Sequence, residues 1–404
     1  MKTKEMFAEG KTKIILGSDE PGQVLVQSKD SITAGDGAKR DEITNKGIHA
    51  NLTTSRVFSF LNRCGLQTHF IKIIDDRTFL AKQCDMIPLE VVARRLAFGS
   101  YLKRYPGTPE EWRFTPPLVE LFLKDDARHD PFMEPFAVLH EKITSRSGKS
   151  LTLEHLEKMQ KQCRLIFEIL EKAWACQDVT LVDLKVEFGF DSNGDLLLSD
   201  VIDNDSWRIW LHGEKSQMKD KQLYRDLPKS SQEALQAIET NYREVAQMTE
   251  RFLSPVKGRV EVLLGSKKDE LFIESMARML SQLEVPYAVT VSSAHKTTEK
   301  LLRKIQETEG FGEPVIFIAV AGRSNGLGPV ADGNTAYPVI NCPILSERFA
   351  GEELFSSLYL PSGLSCVTIL DPEAAALAAA KMLSLYSPVL FGKIKVLKYK
   401  AAEL

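Results

Sequence analysis

Charged and apolar residues alternate in the segment LVDLKVEFG. Because successive side chains of a strand point to opposite faces, Asp183, Lys185 and Glu187 share one face and the apolar residues take the other. Three charges on one strand face indicate either a solvent-exposed surface or a binding site. The next residues, DSNGD, contain Asn193-Gly194, a dipeptide that favours a two-residue hairpin turn.

Such a turn would place Glu187 directly opposite Asp200 on the returning strand. Two opposed carboxylates repel each other unless a cation lies between them. A Mg²⁺ ion that also binds nucleotide phosphates suits this pair of carboxylates. A slipped register, or a strand face that is simply hydrated, is the alternative explanation.

Two lysines, Lys11 and Lys13, follow a glycine in EGKTKII, and their spacing puts them on one face of a strand. Phosphate suits two ammonium groups beside a glycine, because glycine lets the backbone approach a ligand closely. The GxxxxGK pattern of a P-loop is absent. The alternative is two hydrated lysines on an edge strand.

Arginines and another carboxylate occur in two further segments. PLEVVARRLAFGS contains Arg94 and Ser100, and DNDSWRIW contains Asp205 and Arg208. Arginine binds a carboxylate or a phosphate through two parallel hydrogen bonds. Each arginine, taken alone, could instead form a surface ion pair.

Small residues cluster after three predicted strands in the C-terminal part of the chain, at Gly265-Ser266, SSAHK and AGRSNGLGP. Open parallel sheets bind ligands at the carboxyl ends of their strands, and small residues let backbone N–H groups approach an anion. His295 in the second cluster is a candidate general acid or base, although a histidine that caps the next helix is the alternative. A Rossmann dinucleotide site is disfavoured, because GSKKDE stands where GxGxxG is required.

Length and composition bound the kind of protein that must position these residues. A chain of 404 residues predicts more than one domain, and 43% hydrophobic and 26% charged residues are typical of a globular protein. A net charge of −3 gives no indication of nucleic-acid binding. The six cysteines are scattered without a CxxC pair, and the sequence shows neither a signal peptide nor a membrane-length apolar run. We therefore expect a cytoplasmic protein with no membrane partner.

The elements change character near residue 254. Strand and hairpin patterns dominate the first quarter, and an amphipathic helix is predicted from about Leu153. After residue 259, continuous apolar strands alternate with helices, which predicts a doubly wound α/β domain with a parallel sheet. Proline and glycine in LSPVKGR predict the boundary, so we expect an α+β domain 1–253, a linker 254–259 and an α/β domain 260–404.

The segments EGKTK, DMIPLEVVARRLAFGS, LVDLKVEFG and LSDVIDNDSWRIW resemble the phosphoribosylaminoimidazole-succinocarboxamide (SAICAR) synthetases. The resemblance implies an ATP-grasp-like fold and the ATP- and Mg²⁺-dependent condensation of carboxyaminoimidazole ribonucleotide (CAIR) with L-aspartate through an acyl phosphate. It implies the following roles: ATP phosphates at Lys11, Thr12 and Lys13; Mg²⁺ at Glu187 and Asp200; CAIR and L-aspartate at Arg94, Ser100, Asp205 and Arg208; catalysis at Asp183 and Lys185. Phe98 departs from the Thr or Ala that this family usually has.

The segments SSAHK, IAVAGRSNGLGPVADGNTAYPVI and LPSGLSCVTIL resemble the class II carboxylases of aminoimidazole ribonucleotide (AIR). The resemblance implies carboxylation of AIR by CO₂ to CAIR, with neither ATP nor biotin as a cofactor. It implies His295 and Lys296 as catalytic residues and an AIR and CO₂ site at Gly265, Ser266, Asp269, Ser293, Arg323, Ser324, Asn325 and Gly326. Lys268 departs from the small residue usual in this family.

The order of the two modules resembles the animal-type bifunctional enzymes of purine biosynthesis, in which one module makes the CAIR that the other consumes. This resemblance also implies a homo-oligomer, an octamer built on the carboxylase modules. Two alternatives are a catalytically silent nucleotide-binding scaffold and a protein that retains one activity only.

Overall fold

The computed structural model describes residues 5–34, 39–227 and 231–402. The chain divides into two compact units, the first comprising Met1–Leu253 with Lys398–Leu404 and the second Ser254–Leu397.

Antiparallel strands dominate the first unit. Its described strands are β1 (Met6–Glu9), β2 (Lys13–Gly17), β3 (Gln23–Ser28), β4 (Ser31–Ala34), β5 (Lys39–Glu42), β6 (Phe70–Asp75), β7 (Thr78–Lys82), β8 (Asp85–Leu96), β9 (Arg113–Leu123), β10 (Phe132–Met133), β11 (Val179–Phe190), β12 (Leu196–Ser199) and β13 (Trp207–Leu211). Its described helices are α1 (Lys46–Arg63), α2 (Ser100–Arg104), α3 (Pro135–His140), α4 (Leu153–Ala175), α5 (Gln222–Asp226) and α6 (Gln232–Glu250).

Two larger sheets organise these strands. The first has the order β1-β2-β3-β7-β6, and helix α1 packs against it. The second has the order β10-β9-β8-β11-β12, and β13 pairs with the first half of β11 on the edge that β12 leaves open. Strand β11 is therefore paired along both edges and lies inside the unit.

Helix α4 confirms the predicted amphipathic helix. Apolar side chains at three- and four-residue spacing, including Leu156, Met159 and Cys163, are fully buried, and the helix packs against β8, β9 and β11. Thr152 caps its start, because its hydroxyl accepts a hydrogen bond from the His155 N–H while the His155 ring accepts one from the Thr152 N–H.

A parallel sheet forms the second unit. Its strands are β14 (Arg259–Leu264), β15 (Tyr287–Val291), β16 (Val315–Gly322), β17 (Val339–Ile344) and β18 (Val367–Thr368). Its α-helices are α7 (Glu274–Gln282), α8 (Thr298–Glu309), α9 (Leu327–Asp332), α10 (Phe355–Leu358), α11 (Pro372–Leu383) and α12 (Pro388–Ala402), which continues into the last residues of the first unit, and a 3₁₀ helix spans Lys267–Ile273.

The strand order β15-β14-β16-β17-β18, with every pair parallel, confirms the predicted doubly wound sheet. Side chains from both faces are buried: Val262 packs in a core that includes residues of α7 and α11, and Leu263 packs in a core with residues of α8 and α9. This coverage explains why the strands read as continuous apolar runs rather than alternating ones.

In the part of the chain that the structure describes, the helices are too short or too polar to cross a lipid bilayer.

We predict that Phe252→Ala lowers the free energy of unfolding of the first unit by about 3–5 kcal/mol, the usual cost of emptying a buried aromatic site. The Phe252 side chain is fully buried, with its ring centroid 5.4 Å from that of Phe60 and 4.8 Å from that of Trp174. Urea unfolding followed by tryptophan fluorescence measures this unit alone, because all four tryptophans lie in it. The exposed Phe136→Ala is the matched control, and a loss of equal size there would contradict the prediction.

Candidate functional site

The charged face of β11 borders three adjoining cavities in the first unit. The central cavity, of about 640 Å³, is bordered by Lys185 and Glu187. The apolar cavity, of about 610 Å³, shares Glu187 with it, and the arginine cavity, of about 260 Å³, shares Lys185 with it. Asp183 borders the arginine cavity. The three charges therefore face a cleft, and their apolar neighbours are buried in the core.

Lysines and carboxylates pair across the central cavity. Lys13 contacts Asp200, and the Lys124 ammonium lies 2.7 Å from Glu187 Oε2. Lys11 and Thr12 border the same cavity, where Lys11 pairs with Asp126 at 3.0 Å. Burial lowers the pKa of Lys13 to about 8.

The predicted direct pairing of Glu187 with Asp200 is wrong. Glu187 pairs with Ser199, and Asp200 lies one residue beyond the end of β12 with φ at 67°. The hairpin loop is one residue longer than expected, because the Asp191 carboxylate accepts hydrogen bonds from the N–H groups of both Asn193 and Asp195 at 2.9 and 3.0 Å. This shift changes the register by one residue.

Glu187 and Asp200 nevertheless border the same two cavities, the central and the apolar one. Burial would raise the pKa of Glu187, but Lys185, Lys124 and Lys13 together hold it below its ordinary value. The described residues contain no group of three or more His, Cys, Asp or Glu that could hold a metal. The two carboxylates fit Mg²⁺ where phosphate and water supply its remaining ligands.

Arg94 borders the arginine cavity and is hydrogen-bonded to three side chains around it. Its guanidinium donates hydrogen bonds to Glu120 at 2.6 Å, to Asp183 at 3.0 Å and to the Ser100 hydroxyl at 3.1 Å. Arg208 contacts the same Asp183 carboxylate from β13. The structure therefore brings together Arg94, Ser100 and Arg208, which only the resemblance to a known family had placed in one site.

Phe98 is accommodated beside Arg208. Its ring meets Trp210 edge-on at 5.4 Å, and the Arg208 guanidinium lies 5.4 Å from the ring centroid. The Lys215 ammonium lies 4.9 Å from the same centroid. Gly99 allows this arrangement, because a β-carbon there would lie 2.8 Å from Arg208 Nη2. Phe98 thus holds Arg208 through ring packing and cation–π attraction.

The apolar cavity was missed at the sequence level. Its lining residues include Ile15, Val24, Val26 and Ile87, which read simply as core residues of strands. His69 also borders it, and burial lowers the pKa of this histidine to about 3. Its residues come from strands far apart in the chain, so no local pattern could have revealed it.

Several polar residues of the cleft were also missed. Glu90 accepts a hydrogen bond from Lys185 at 2.5 Å, and Lys221 donates one to Asp205 at 2.8 Å. Asp205 lies where the central and arginine cavities meet. A signal for Glu90 was present, because Glu90 and Arg94 are four residues apart in one strand and share a face.

In the second unit, the loops after three parallel strands come together. A β-carbon added at Gly326 would lie 3.1 Å from the His295 ring, so the loop after β15 touches the loop after β16. A β-carbon at Gly265 would lie 2.9 Å from Ala321, so the loop after β14 adjoins the same place. The predicted cluster of small residues around an exposed histidine is therefore a spatial cluster.

Asn325 turns inward rather than toward His295. Its fully buried side chain donates a hydrogen bond to the Ser357 hydroxyl at 3.1 Å, and its backbone N–H donates one to Ser356 at 2.8 Å. A side-chain role for Asn325 in fixing the loop suits these contacts better than direct contact with a substrate. Gly328 is required nearby, because a β-carbon there would lie 1.5 Å from Asn341 Oδ1.

The other predicted residues of this loop cluster differ in exposure. Lys296, Arg323 and Ser324 are exposed, as is Lys268. Ser266 accepts a hydrogen bond from the Lys268 N–H at 3.3 Å and so caps the 3₁₀ helix. The Ser293 hydroxyl accepts a hydrogen bond from the Lys296 N–H at 3.3 Å. Asp269 is partly buried, and this burial raises its pKa.

Comparison with known proteins follows the division of the chain. The SAICAR synthetase family model matches residues 6–242, and the AIR carboxylase family model matches residues 259–403. The chain is 46% identical over 398 residues to the multifunctional protein ADE2 of Gallus gallus, covering 98% of this chain and 93% of that protein. It is 45% identical over 390 residues to the bifunctional phosphoribosylaminoimidazole carboxylase/phosphoribosylaminoimidazole succinocarboxamide synthetase of Homo sapiens, covering 96% and 92%.

Two solved structures resemble the first unit. One is the phosphoribosylaminoimidazole-succinocarboxamide synthase of Ehrlichia chaffeensis, with a TM-score of 0.54 and 33% identity, covering 61% of this chain and 99% of that chain. The other is a SAICAR synthetase in complex with ADP, with a TM-score of 0.51 and 32% identity, covering 59% and 98%.

We predict that His69→Gln makes the first unit less sensitive to acid. The unfolded histidine takes up a proton near pH 6.5 and the folded one only near pH 3, so wild-type stability falls as the pH drops below 6.5. The free energy of unfolding of the variant relative to wild type should therefore rise by about 2 kcal/mol from pH 7 to pH 5. Urea titrations at both pH values measure it. The exposed His140→Gln is the control, and the idea fails if both variants change alike.

Proposed function

Because the chain belongs to the family of bifunctional AIR carboxylase and SAICAR synthetase enzymes of purine biosynthesis, we propose which residues of each unit carry each reaction. The second unit carboxylates AIR with CO₂ to CAIR, and the first condenses CAIR with L-aspartate at the cost of ATP. One observation carries the assignment in the first unit, namely the charged face of β11 at the junction of three cavities.

ATP binds across the apolar and central cavities of the first unit. The adenine base enters the apolar cavity beside Val24 and Ile87, and the phosphates meet Lys11, Thr12 and Lys13. The ADP complex of a related SAICAR synthetase supports a nucleotide in this fold. Apolar walls suit a flat base, and ammonium groups and backbone N–H groups suit phosphate.

Glu187 and Asp200 are the proposed Mg²⁺ ligands. The ion, when bound, would neutralise phosphate charge and fix the γ-phosphoryl group. Both carboxylates pair with lysines of the same cavity, Lys13 and Lys124. A bound magnesium triphosphate would replace these pairs, because its phosphates would bind the two lysines and its Mg²⁺ would bind the two carboxylates.

CAIR binds in the arginine cavity, at Arg94, Ser100 and Arg208. Its carboxylate oxygen attacks the γ-phosphorus and ADP leaves, giving an acyl phosphate. The L-aspartate nitrogen then bonds to the acyl carbon while the C–O bond to phosphate breaks, and the proton lost by the amine leaves with inorganic phosphate. Lys185 stands between the central and arginine cavities, where charge builds up on the transferring group, and Asp183 holds both arginines in place.

In the second unit, AIR lies over the loop cluster and His295 acts as the base. The enamine-like C4 of AIR attacks CO₂, and the adduct then loses its C4 proton to the imidazole. Two observations support this assignment: His295 and Lys296 are exposed at the carboxyl end of the sheet, and the His295 ring lies against Gly326. Gly265, Ser266, Asp269 and Ser293 remain the proposed ribonucleotide contacts, with Arg323 and Ser324 beside the CO₂.

An assembly of several copies, by resemblance an octamer, and a cytoplasmic location complete the proposal. Exposed apolar residues of the second unit, including Phe355, Leu358 and Tyr359, support association through this unit.

The cytoplasmic location is supported by two cysteines, Cys163 and Cys342, which are buried as thiols in the two cores and indicate a reducing compartment. A catalytically silent scaffold is not favoured.

We predict that Glu187→Gln and His295→Ala separate the two activities. Glu187→Gln should lower SAICAR formation from CAIR, ATP and L-aspartate by about 100-fold or more, because the proposed metal loses a charged ligand. His295→Ala should lower CAIR formation from AIR and bicarbonate without ATP by a similar factor. Each variant is the control for the other, since each should keep the second activity. Loss of both activities in a folded variant would refute the assignment.

We predict that Phe98→Leu raises the KM for CAIR about fivefold and leaves the KM for ATP unchanged. The substitution keeps an apolar side chain against Trp210 but removes the ring that faces Arg208. Phe190→Leu is the matched control, because the Phe190 ring carries the Lys149 ammonium at 3.6 Å but borders none of the three cavities. An unchanged KM for CAIR in Phe98→Leu would rule out this role.

A further inference from the structure

The Asp205 carboxylate is held at both oxygens. Oδ1 accepts a hydrogen bond from the Tyr242 hydroxyl, and Oδ2 accepts one from the Lys221 ammonium at 2.8 Å. Its backbone N–H also donates to Asp203 Oδ1 at 2.8 Å. The two contacts to the carboxylate fix a side chain that has only two rotatable bonds, and the third contact holds the backbone of the same residue.

Tyr242 belongs to helix α6, outside every motif that marked the site in the sequence. Its side chain is 1% exposed, so its hydroxyl reaches the cleft from the interior of the unit. A buried tyrosine normally satisfies its hydroxyl, and here the partner is a carboxylate that borders two cavities.

Lys46 places its ammonium over the ring of Tyr242. The lysine is the first residue of α1 and is only 1% exposed, and its ammonium lies 5.1 Å from the Tyr242 ring centroid. A buried ammonium requires nearby negative charge, which Asp203 and Asp205 supply. Helices α1 and α6 thus fix Tyr242 beneath Asp205. Neither Tyr242 nor Lys46 borders any of the three cavities.

We propose that Tyr242 is a positioning residue for Asp205, and that Asp205 accepts a hydrogen bond from the amino group of L-aspartate and aims it at the acyl carbon. The inference rests on the proposed function of the first unit. Lys221 and Tyr242 hold the carboxylate in one rotamer, and each oxygen keeps a further lone pair for the amine. Orientation of the amine accelerates its attack on the acyl phosphate but does not affect the earlier step, in which the acyl phosphate forms.

Two nucleophiles distinguish this role from a general structural one. Hydroxylamine is small and captures acyl phosphates without needing the orientation that L-aspartate requires. Tyr242→Phe removes only the hydroxyl. The value of kcat/KM for L-aspartate, measured by ADP release in the presence of CAIR and ATP, should therefore fall about tenfold. Hydroxamate formation with hydroxylamine should stay within about twofold of wild type, because the acyl phosphate still forms.

Tyr224→Phe is the matched control. Tyr224 is also fully buried, and its hydroxyl donates a hydrogen bond to Asp41, which borders none of the three cavities, at 2.7 Å. This variant should keep both rates. Asp205→Asn should show the same selective loss as Tyr242→Phe, but larger, and the double variant should be no worse than Asp205→Asn alone, because the tyrosine acts through the aspartate.

Three results would overturn the inference. Equal loss with both nucleophiles in Tyr242→Phe would mean that the hydroxyl only stabilises the fold, and no loss with either would mean that Asp205 needs no such support. Additive losses in the double variant would mean that Tyr242 acts on something other than Asp205. If wild-type enzyme itself formed no hydroxamate from CAIR and ATP, the proposed acyl phosphate route would fail, and the inference with it.

Discussion

Strand β11 is paired along both edges, so its alternating side chains have fixed destinations on the two faces of the sheet. Its apolar face packs against helix α4, and its charged face is then buried as well, with Asp183 and Glu187 about 5% exposed or less. Buried charges are tolerated only when they are paired and hydrogen-bonded. In the cleft of the first unit, lysine and arginine side chains pair with these buried carboxylates and so meet this requirement.

The partners come from elements that are distant in the sequence. Strand β8 brings Arg94 and Glu90, β13 brings Arg208, and the segment after β9 brings Lys124. The charged residues of β11 therefore hold β8, β13 and the segment after β9 in place through ion pairs. Removing one partner leaves another charge buried without compensation, which is why such networks couple stability closely to the geometry of the site.

The second unit meets a different constraint. A parallel sheet covered on both faces has no open surface for a ligand, so its loops at the carboxyl ends carry the chemistry. Here the backbone itself limits side-chain size: Gly326 lies against His295, and Gly328 leaves room for Asn341. The buried contacts of Asn325 then hold the loop in place from below.

The sequence by itself determined the two-unit organisation and much of the fold, because alternation in β11 and continuous apolar runs in β14 and β16 follow from short-range periodicity. Strand alternation also placed Asp183, Lys185 and Glu187 on one face, whereas Arg94 and Arg208 were assigned to the site only by the resemblance to SAICAR synthetases. The predicted register of the Asn193-Gly194 hairpin was wrong by one residue, because two backbone N–H groups of the loop donate hydrogen bonds to the Asp191 carboxylate and lengthen the loop. Only the tertiary structure decided the apolar cavity, the cation–π contacts of Phe98 and the position of Tyr242 beneath Asp205, because these contacts join residues whose separation along the chain leaves no local pattern.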